Sequence, residues 1–105
     1  MLDKSLFVST AVQERTVALP DGSEHVLFFK ELPAVEFRRF YLASQSADEN
    51  VRVYAIANLI AAALCDSDGK SVIDAEKAAQ LKMPAMNEIF MALLDVNGQG
   101  EQKKD

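Results

Sequence analysis

Runs of branched and aromatic residues mark the N-terminal third of the chain as β structure. Two such runs, RTVALP (15–20) and HVLFFKEL (25–32), flank a turn in which Pro20 presets one backbone dihedral angle and Gly22 accepts a positive one. This arrangement predicts a β-hairpin. Leu6-Phe7-Val8 is a candidate third strand, because an isolated two-stranded sheet is only marginally stable.

Helical periodicity begins after the hairpin. Pro33 suits the first turn of a helix that runs through AVEFRRFYLASQ (34–45), with Phe37, Phe40 and Tyr41 on one face. Ser46-Ala47-Asp48-Glu49 has the pattern of a capping box, which predicts that a second helix begins there and continues to Cys65. That helix is apolar almost all round, so we expect other segments to cover it on several sides.

Two further helices are predicted in the C-terminal third. Asp74 caps a short polar helix, AEKAAQLK (75–82), and Pro84 interrupts it by removing a backbone donor. The last helix runs through PAMNEIFMALLDV (84–96), and Asn97-Gly98 supplies a left-handed stop. The chain is therefore expected to be an α+β protein in which the hairpin packs on a bundle of about four helices. We expect one domain over residues 1–98 and a disordered polar tail over 99–105.

Charge and composition argue against two classes of partner. The formal net charge is -5, whereas a protein that grips nucleic acid needs a basic face to neutralise phosphates. The most apolar run, from Val53 to Cys65, is much shorter than the roughly 18 residues that suggest a membrane span. The single cysteine excludes an internal disulfide and favours a reducing compartment.

The segment LCDSDGK (64–70) invites comparison with a calcium-binding loop. An EF-hand loop needs oxygen ligands at its first, third and fifth positions, glycine at the sixth and glutamate at the twelfth. If Gly69 takes the sixth position, Asp66 and Asp68 fit, but Leu64 occupies the first position and Ala75 the twelfth. The pattern is instead typical of a tight turn in which aspartate side chains accept backbone N–H bonds.

Enzymatic chemistry has little support in the sequence. A nucleophilic Cys65 would need a base, and the only histidine, His25, falls in the predicted hairpin. Cys65 is better interpreted as a small buried hydrophobic residue and His25 as a side chain on a strand face. We therefore expect neither enzymatic activity, nor a cofactor, nor a metal site.

The last helix carries more apolar surface than one packing face requires. One edge of its stripe is expected to face the core, and the other to face a partner or to be covered by another segment of the same chain. Methionine suits a partner surface because its flexible thioether adapts to varied shapes. The predicted partner-binding residues are Met83, Phe90, Met91 and Leu94.

The segment from Leu59 to Gly98 resembles the tail assembly chaperones of long-tailed bacteriophages. The residues that carry the resemblance are Leu64-Cys65 at the end of an apolar helix, the turn Asp66-Ser67-Asp68-Gly69, the short helix from Asp74 to Lys82, and Leu93-Leu94 leading to Asn97-Gly98. The N-terminal strands followed by Leu32-Pro33 and an acidic-basic helix are also similar to the family.

The resemblance implies a non-enzymatic protein of the host cytoplasm that is absent from the mature virion. Such proteins coat the tape measure protein and give way to the tail tube protein as the tube grows. Homo-oligomers are compatible with this role, and the family often makes a longer product by frameshifting. The alternative is a structural head or tail component, of the connector type, that self-associates through its helical face.

Overall fold

A three-stranded antiparallel sheet forms the N-terminal layer of the fold. In the computed structural model, which describes residues 2–98, strand β1 spans Val12–Ala18, β2 spans Glu24–Lys30 and β3 spans Leu64–Cys65. The strand order is β1-β2-β3, and β1 and β2 are joined by the predicted hairpin turn. In that turn, Gly22 has a φ of 92°. The N–H of Leu19 donates to the carbonyl of Ser23 at 2.9 Å.

Five α-helical segments pack against this sheet or against one another within residues 2–98. They are α1 (Ala34–Ser44), α2 (Glu49–Val53), α3 (Ala55–Ala63), α4 (Ala75–Ala78) and α5 (Met83–Val96). Only Tyr54 separates α2 from α3, so the expected α+β fold with about four helices is confirmed.

The third strand is not the predicted one. Lys4–Leu6 forms a short 3-10 turn, and the carboxylate of Asp3 caps it by accepting the N–H of Ser5 at 2.9 Å. The place beside β2 is taken by Leu64 and Cys65, which pair with Phe29 and Phe28 respectively. The prediction for Leu6-Phe7-Val8 was wrong because the end of α3 delivers its own residues directly to that sheet edge.

The predicted second helix is broken. Its N-terminus is capped by Asp48, whose carboxylate accepts the N–H of Asn50 at 2.9 Å, so the capping box based on Ser46 does not form. The segment ENVRV is polar and contains valines and asparagine, which have low helix propensity, whereas AIANLIAAA is rich in alanine and leucine. The break falls at Tyr54, whose φ of -92° and ψ of 2° depart from helical values.

The expectation that the second predicted helix is covered on several sides is confirmed for α3 and is wrong for α2. In α3 the buried residues are Ala55, Ala57, Leu59, Ile60 and Ala63. None of the residues of α2 is buried, and Val53 is 61% exposed. The valines of α2, Val51 and Val53, therefore lie on the surface.

One core joins the sheet to α3 and α5. The largest fully buried side chains are Phe29 from β2, Ile60 from α3 and Leu93 from α5. Helix α4 contributes Ala78, which is also fully buried. Each large side chain of this kind stabilises the fold by about 1.5–3 kcal/mol through burial.

The predicted Asp74 cap of α4 and the predicted glycine stop of α5 are both present, although α4 is shorter than expected. The carboxylate of Asp74 accepts the N–H of Lys77 at 2.8 Å and caps α4, but the helix ends at Ala78. Lys82 already has the extended backbone of the α5 N-cap, so α5 begins just before Pro84. At the other end Gly98 has a φ of 73°, which confirms the left-handed stop. The predicted disordered tail, 99–105, lies outside the described residues.

Candidate protein-binding surface

The four predicted partner-binding residues lie on α5 but differ in exposure. Met83 is 72% exposed and Met91 is 54% exposed. Phe90 and Leu94 are half-buried and pack against the hydrophobic core. The two methionines are therefore available to a partner, whereas Phe90 and Leu94 present only part of their surface.

The helix itself accounts for this difference. Ile89, Leu93 and Val96 are buried and form the face of α5 that contacts the core. Phe90 and Leu94 follow at the next positions round the helix, since each residue advances about 100°. They lie at the margin of the buried face, while Met91 is displaced further towards solvent.

Aromatic contacts extend this margin onto α1. The ring centroids of Phe90 and Phe40 are 5.6 Å apart, and those of Phe40 and Tyr41 are 5.5 Å apart, both in tilted arrangements. Tyr41 is 56% exposed, and its neighbour Leu42 is exposed as well. An apolar path thus leads from α5 through two phenylalanine rings to exposed side chains of α1.

A cavity of about 340 Å³ lies beside this path, between α1 and α3. Phe40 and Leu59 supply apolar walls, and Asn58 supplies a polar one. Glu36 and Arg39 also line the cavity and form an ion pair, with Nη1 of Arg39 2.9 Å from Oε2 of Glu36. The mixture of apolar walls and a charged pair suits a peptide segment with one apolar face.

Sequence reasoning missed two other exposed apolar regions. The first is the N-terminal arm, which we define as residues 2–10, and the second is the region around α2. Their exposed large apolar side chains are Leu2, Leu6, Phe7 and Val8 in the arm, and Val51, Val53 and Tyr54 around α2. A usable signal for the arm was Asp3-Lys4-Ser5, a short capped turn that makes a regular strand less favourable.

The segment LCDSDGK forms the predicted tight turn. Oδ1 of Asp66 accepts the N–H groups of Asp68 and Lys70 at 2.8 and 3.0 Å, and Gly69 has a φ of 85°. The N–H of Lys70 is the main reason that the pKa of Asp66 is lowered. A bridge between Cys65 and Ser71 closes the segment, so the turn joins extended backbone on both sides.

Cys65 and His25 lie apart on the sheet. Cys65 is buried and pairs with Phe28 of β2, three residues along that strand from His25 and on the opposite face. Burial raises the pKa of the Cys65 thiol. His25 is exposed beside the hairpin turn, where Nε2 lies 3.1 Å from Oγ of Ser23.

Residues 2–98 contain no group of three or more histidine, cysteine, aspartate or glutamate side chains arranged to hold a metal ion. Over the same residues, every helix is too short or too polar to cross a membrane.

Comparisons with known proteins give no functional assignment for this chain. No protein-family model matches the chain, and neither a curated protein nor a solved structure matches it.

Proposed function

We propose that the protein is a phage tail assembly chaperone that binds and solubilises the tape measure protein. It acts in the host cytoplasm, has no enzymatic activity, helps recruit tail tube protein and is absent from the mature virion. The observation that carries the proposal is the exposed apolar side chains along α5 and α1, above all Met83 and Met91. The resemblance in turns and helix ends supplies the identity of the partner.

The physical properties of this surface suit a chaperone for a long helical protein. Such a chaperone binds many similar stretches weakly and releases them to a competitor, so adaptable methionine side chains serve better than a deep pocket. The apolar path across Phe90 and Phe40 offers a shallow seat for the apolar stripe of a helix. The net charge of -5 keeps the free protein soluble while this surface is exposed.

Co-expression with a tape measure fragment tests the proposal directly. The wild-type protein is expected to keep the fragment in the soluble fraction, and Met83→Asp combined with Met91→Asp is expected to lower that fraction at least about fivefold. Both methionines are exposed, so the substitutions leave the core intact. Phe90→Asp is a poor test, because it would also disrupt the contact with Phe40.

A matched control is available outside α1 and α5. Val72 is 54% exposed, the same fraction as Met91, and follows the turn beside β3. Val72→Asp is expected to protect the fragment as well as the wild type does. Equal protection by the double methionine variant would show that the surface is wrongly placed. Detection of the protein in purified particles by mass spectrometry would favour the structural alternative.

A further inference from the structure

Strand β1 lies at an edge of the sheet. The strand order is β1-β2-β3, so β1 pairs with β2 on one side and with no strand of residues 2–98 on the other. The edge is seven residues long, and its register against β2 is continuous. Proteins commonly protect such an edge with a proline or a bulge, because an open edge pairs readily with another strand. Within the described residues, β1 has neither.

Hydrogen bonding across the hairpin shows which backbone groups of β1 point outward. The N–H of Leu19 donates to the carbonyl of Ser23, and these two residues continue the register of the hairpin. Backbone groups alternate in direction along an antiparallel strand, so the odd-numbered residues of β1 bond to β2. The residues whose N–H and carbonyl groups point away from β2 are therefore Val12, Glu14, Thr16 and Ala18.

This edge is open to another strand. Among residues 2–98, no backbone group of another segment bonds to the outward groups of β1. The carbonyl of Glu14 accepts Nη1 of Arg15 at 2.9 Å, but a carbonyl oxygen has a second lone pair for another donor. The N-terminal arm lies at the end of β2, where the N–H of Ser9 donates to Glu31 at 2.8 Å, and so does not cover the edge.

The side of α5 nearest to this edge is acidic. The side chains of Arg15 and Val17 face α5, since Val17 is buried and Nε of Arg15 lies 3.0 Å from Oδ2 of Asp95. The side chain of Asp95 remains 63% exposed. Glu88 is also exposed and lies two turns earlier on the same side of the helix. A strand added beside β1 is therefore favoured if it brings a basic side chain to this side of the sheet.

We propose that the strand that pairs with this edge is β1 of a second copy of the chain. In the antiparallel register that places the two Arg15 residues opposite each other, Glu14 lies opposite Thr16 and Val12 opposite Ala18. All outward N–H and carbonyl groups of both strands then have partners. A shift of two residues in either direction leaves Val12 or Ala18 unpaired, and one of these shifts also places Glu14 opposite Glu14. The pairing closes a two-fold dimer with one continuous sheet.

The chain itself supplies the basic residue that the acidic side of α5 favours. In the proposed register the two Arg15 residues form a pair without backbone hydrogen bonds, in which the Cα atoms lie about 4.5 Å apart. Each guanidinium group is therefore within reach of Asp95 of both copies. Like charges opposite each other are unfavourable, but Asp95 and Glu88 supply two carboxylates for each guanidinium group. The ion pair within one chain thus becomes part of a cluster that joins both copies.

Sedimentation of the full chain over a range of concentrations tests the dimer. The wild type is expected to change reversibly from monomer to dimer. Thr16→Pro removes an outward N–H but no bond to β2, so it is expected to keep the circular dichroism spectrum and to weaken dimerisation at least about tenfold. The matched control, Thr16→Val, keeps the N–H and should dimerise as the wild type does. A wild type that stays monomeric, or equal dimerisation of the proline variant, would overturn the proposal.

Cysteine cross-linking tests the register without a proline. Arg15→Cys places two thiols opposite each other at the two-fold axis, so oxidation is expected to give a disulfide-linked dimer on a non-reducing gel. Gln13→Cys is the matched control on the same face of β1, since its two thiols lie about 13 Å apart in the proposed register. The native Cys65 is buried, so the wild type should stay unlinked. Equal linking at both positions, or linking at neither, would contradict the proposed pairing.

Hydrogen exchange measured by NMR adds a test on the unchanged chain. The N–H groups of Glu14 and Thr16 are expected to exchange more slowly as the protein concentration rises, because dimerisation gives them acceptors. The N–H of Arg15 bonds to β2 in the monomer already and should change less. Fast exchange at Glu14 and Thr16 at every concentration would refute the edge pairing. These readouts do not involve the tape measure protein, so the dimer and the chaperone function can fail separately.

Discussion

The side-chain oxygen of Asn97 accepts a hydrogen bond from the backbone N–H of Leu32 at 2.7 Å. The amide nitrogen of the same side chain donates to the carbonyl of Leu93 at 2.9 Å. One residue therefore caps the end of α5 and also satisfies the backbone where the sheet passes into α1. This contact joins segments that are 65 residues apart in the chain.

Replacement of Asn97 by alanine is expected to lower the free energy of unfolding by about 1–3 kcal/mol, because the part-buried N–H of Leu32 loses its acceptor. Chemical denaturation monitored by circular dichroism measures the change. Asn87→Ala, on the exposed side of α5, serves as the control and should stay within about 0.5 kcal/mol of the wild type. Equal stability of the two variants would mean that the long-range bond contributes nothing.

The contact between Phe40 and Phe90 is expected to couple the stabilities of α1 and α5. Their rings pack at a centroid distance of 5.6 Å, and such aromatic pairs contribute about 0.5–1.5 kcal/mol beyond area burial. A double-mutant cycle with Phe40→Leu and Phe90→Leu measures the coupling. If the two effects simply add, the rings pack independently, and the apolar path across the two helices is not a cooperative unit.

The turn at Asp66 should make a small pH-dependent contribution to stability. The N–H of Lys70, followed by those of Asp68 and Gly69, lowers the pKa of Asp66 below its ordinary value of 3.8. The contribution is present above the unfolded pKa and is lost as the pH falls through the lower folded pKa. Asp66→Ala is therefore expected to melt below the wild type at neutral pH, and the gap in Tm should narrow below about pH 3.8.

Ser67→Ala provides the control for that experiment, since Ser67 lies in the same turn, is exposed and carries no ionisable side chain. Its Tm difference from the wild type should not change with pH. A gap at Asp66 that widened in acid would reverse the expected sign and refute the assignment.

Cys65 is expected to resist thiol reagents while the protein is folded. Its side chain is only 3% exposed, and burial raises the pKa of the thiol, which lowers the fraction of reactive thiolate at pH 8. Labelling by a chromogenic disulfide should be at least about tenfold slower in buffer than in guanidinium chloride. Similar rates in the two conditions would show that the sheet opens readily at β3.

Features with a local chemical cause were predictable from the sequence. The hairpin turn needs Pro20 and Gly22, the tight turn needs Asp66 and Gly69, and the α5 stop needs Gly98. Each signal acts over a few residues, since a side chain bonds to a nearby N–H or a glycine adopts a positive φ. The structure contains all three.

Features that depend on distant contacts were not predictable in the same way. Leu64 and Cys65 read as the end of a helix, and they become a strand because β2, more than 30 residues earlier, offers a free edge. A helical wheel likewise gives the width of an apolar stripe but not the neighbours that cover it. Phe90 is half-buried and packs against Phe40 from another helix, whereas Met91 is 54% exposed among the described residues.

The direct passage from α3 into β3 has a consequence for strand register. Because no loop separates Ala63 from Leu64, a slip of one residue against β2 would rotate the attached helix by about 100°. Such a rotation would move Ile60 away from Phe29 and Leu93 and expose it to water. The packing of α3 therefore holds the two-residue strand in a single register. The few hydrogen bonds of so short a strand could not fix that register alone.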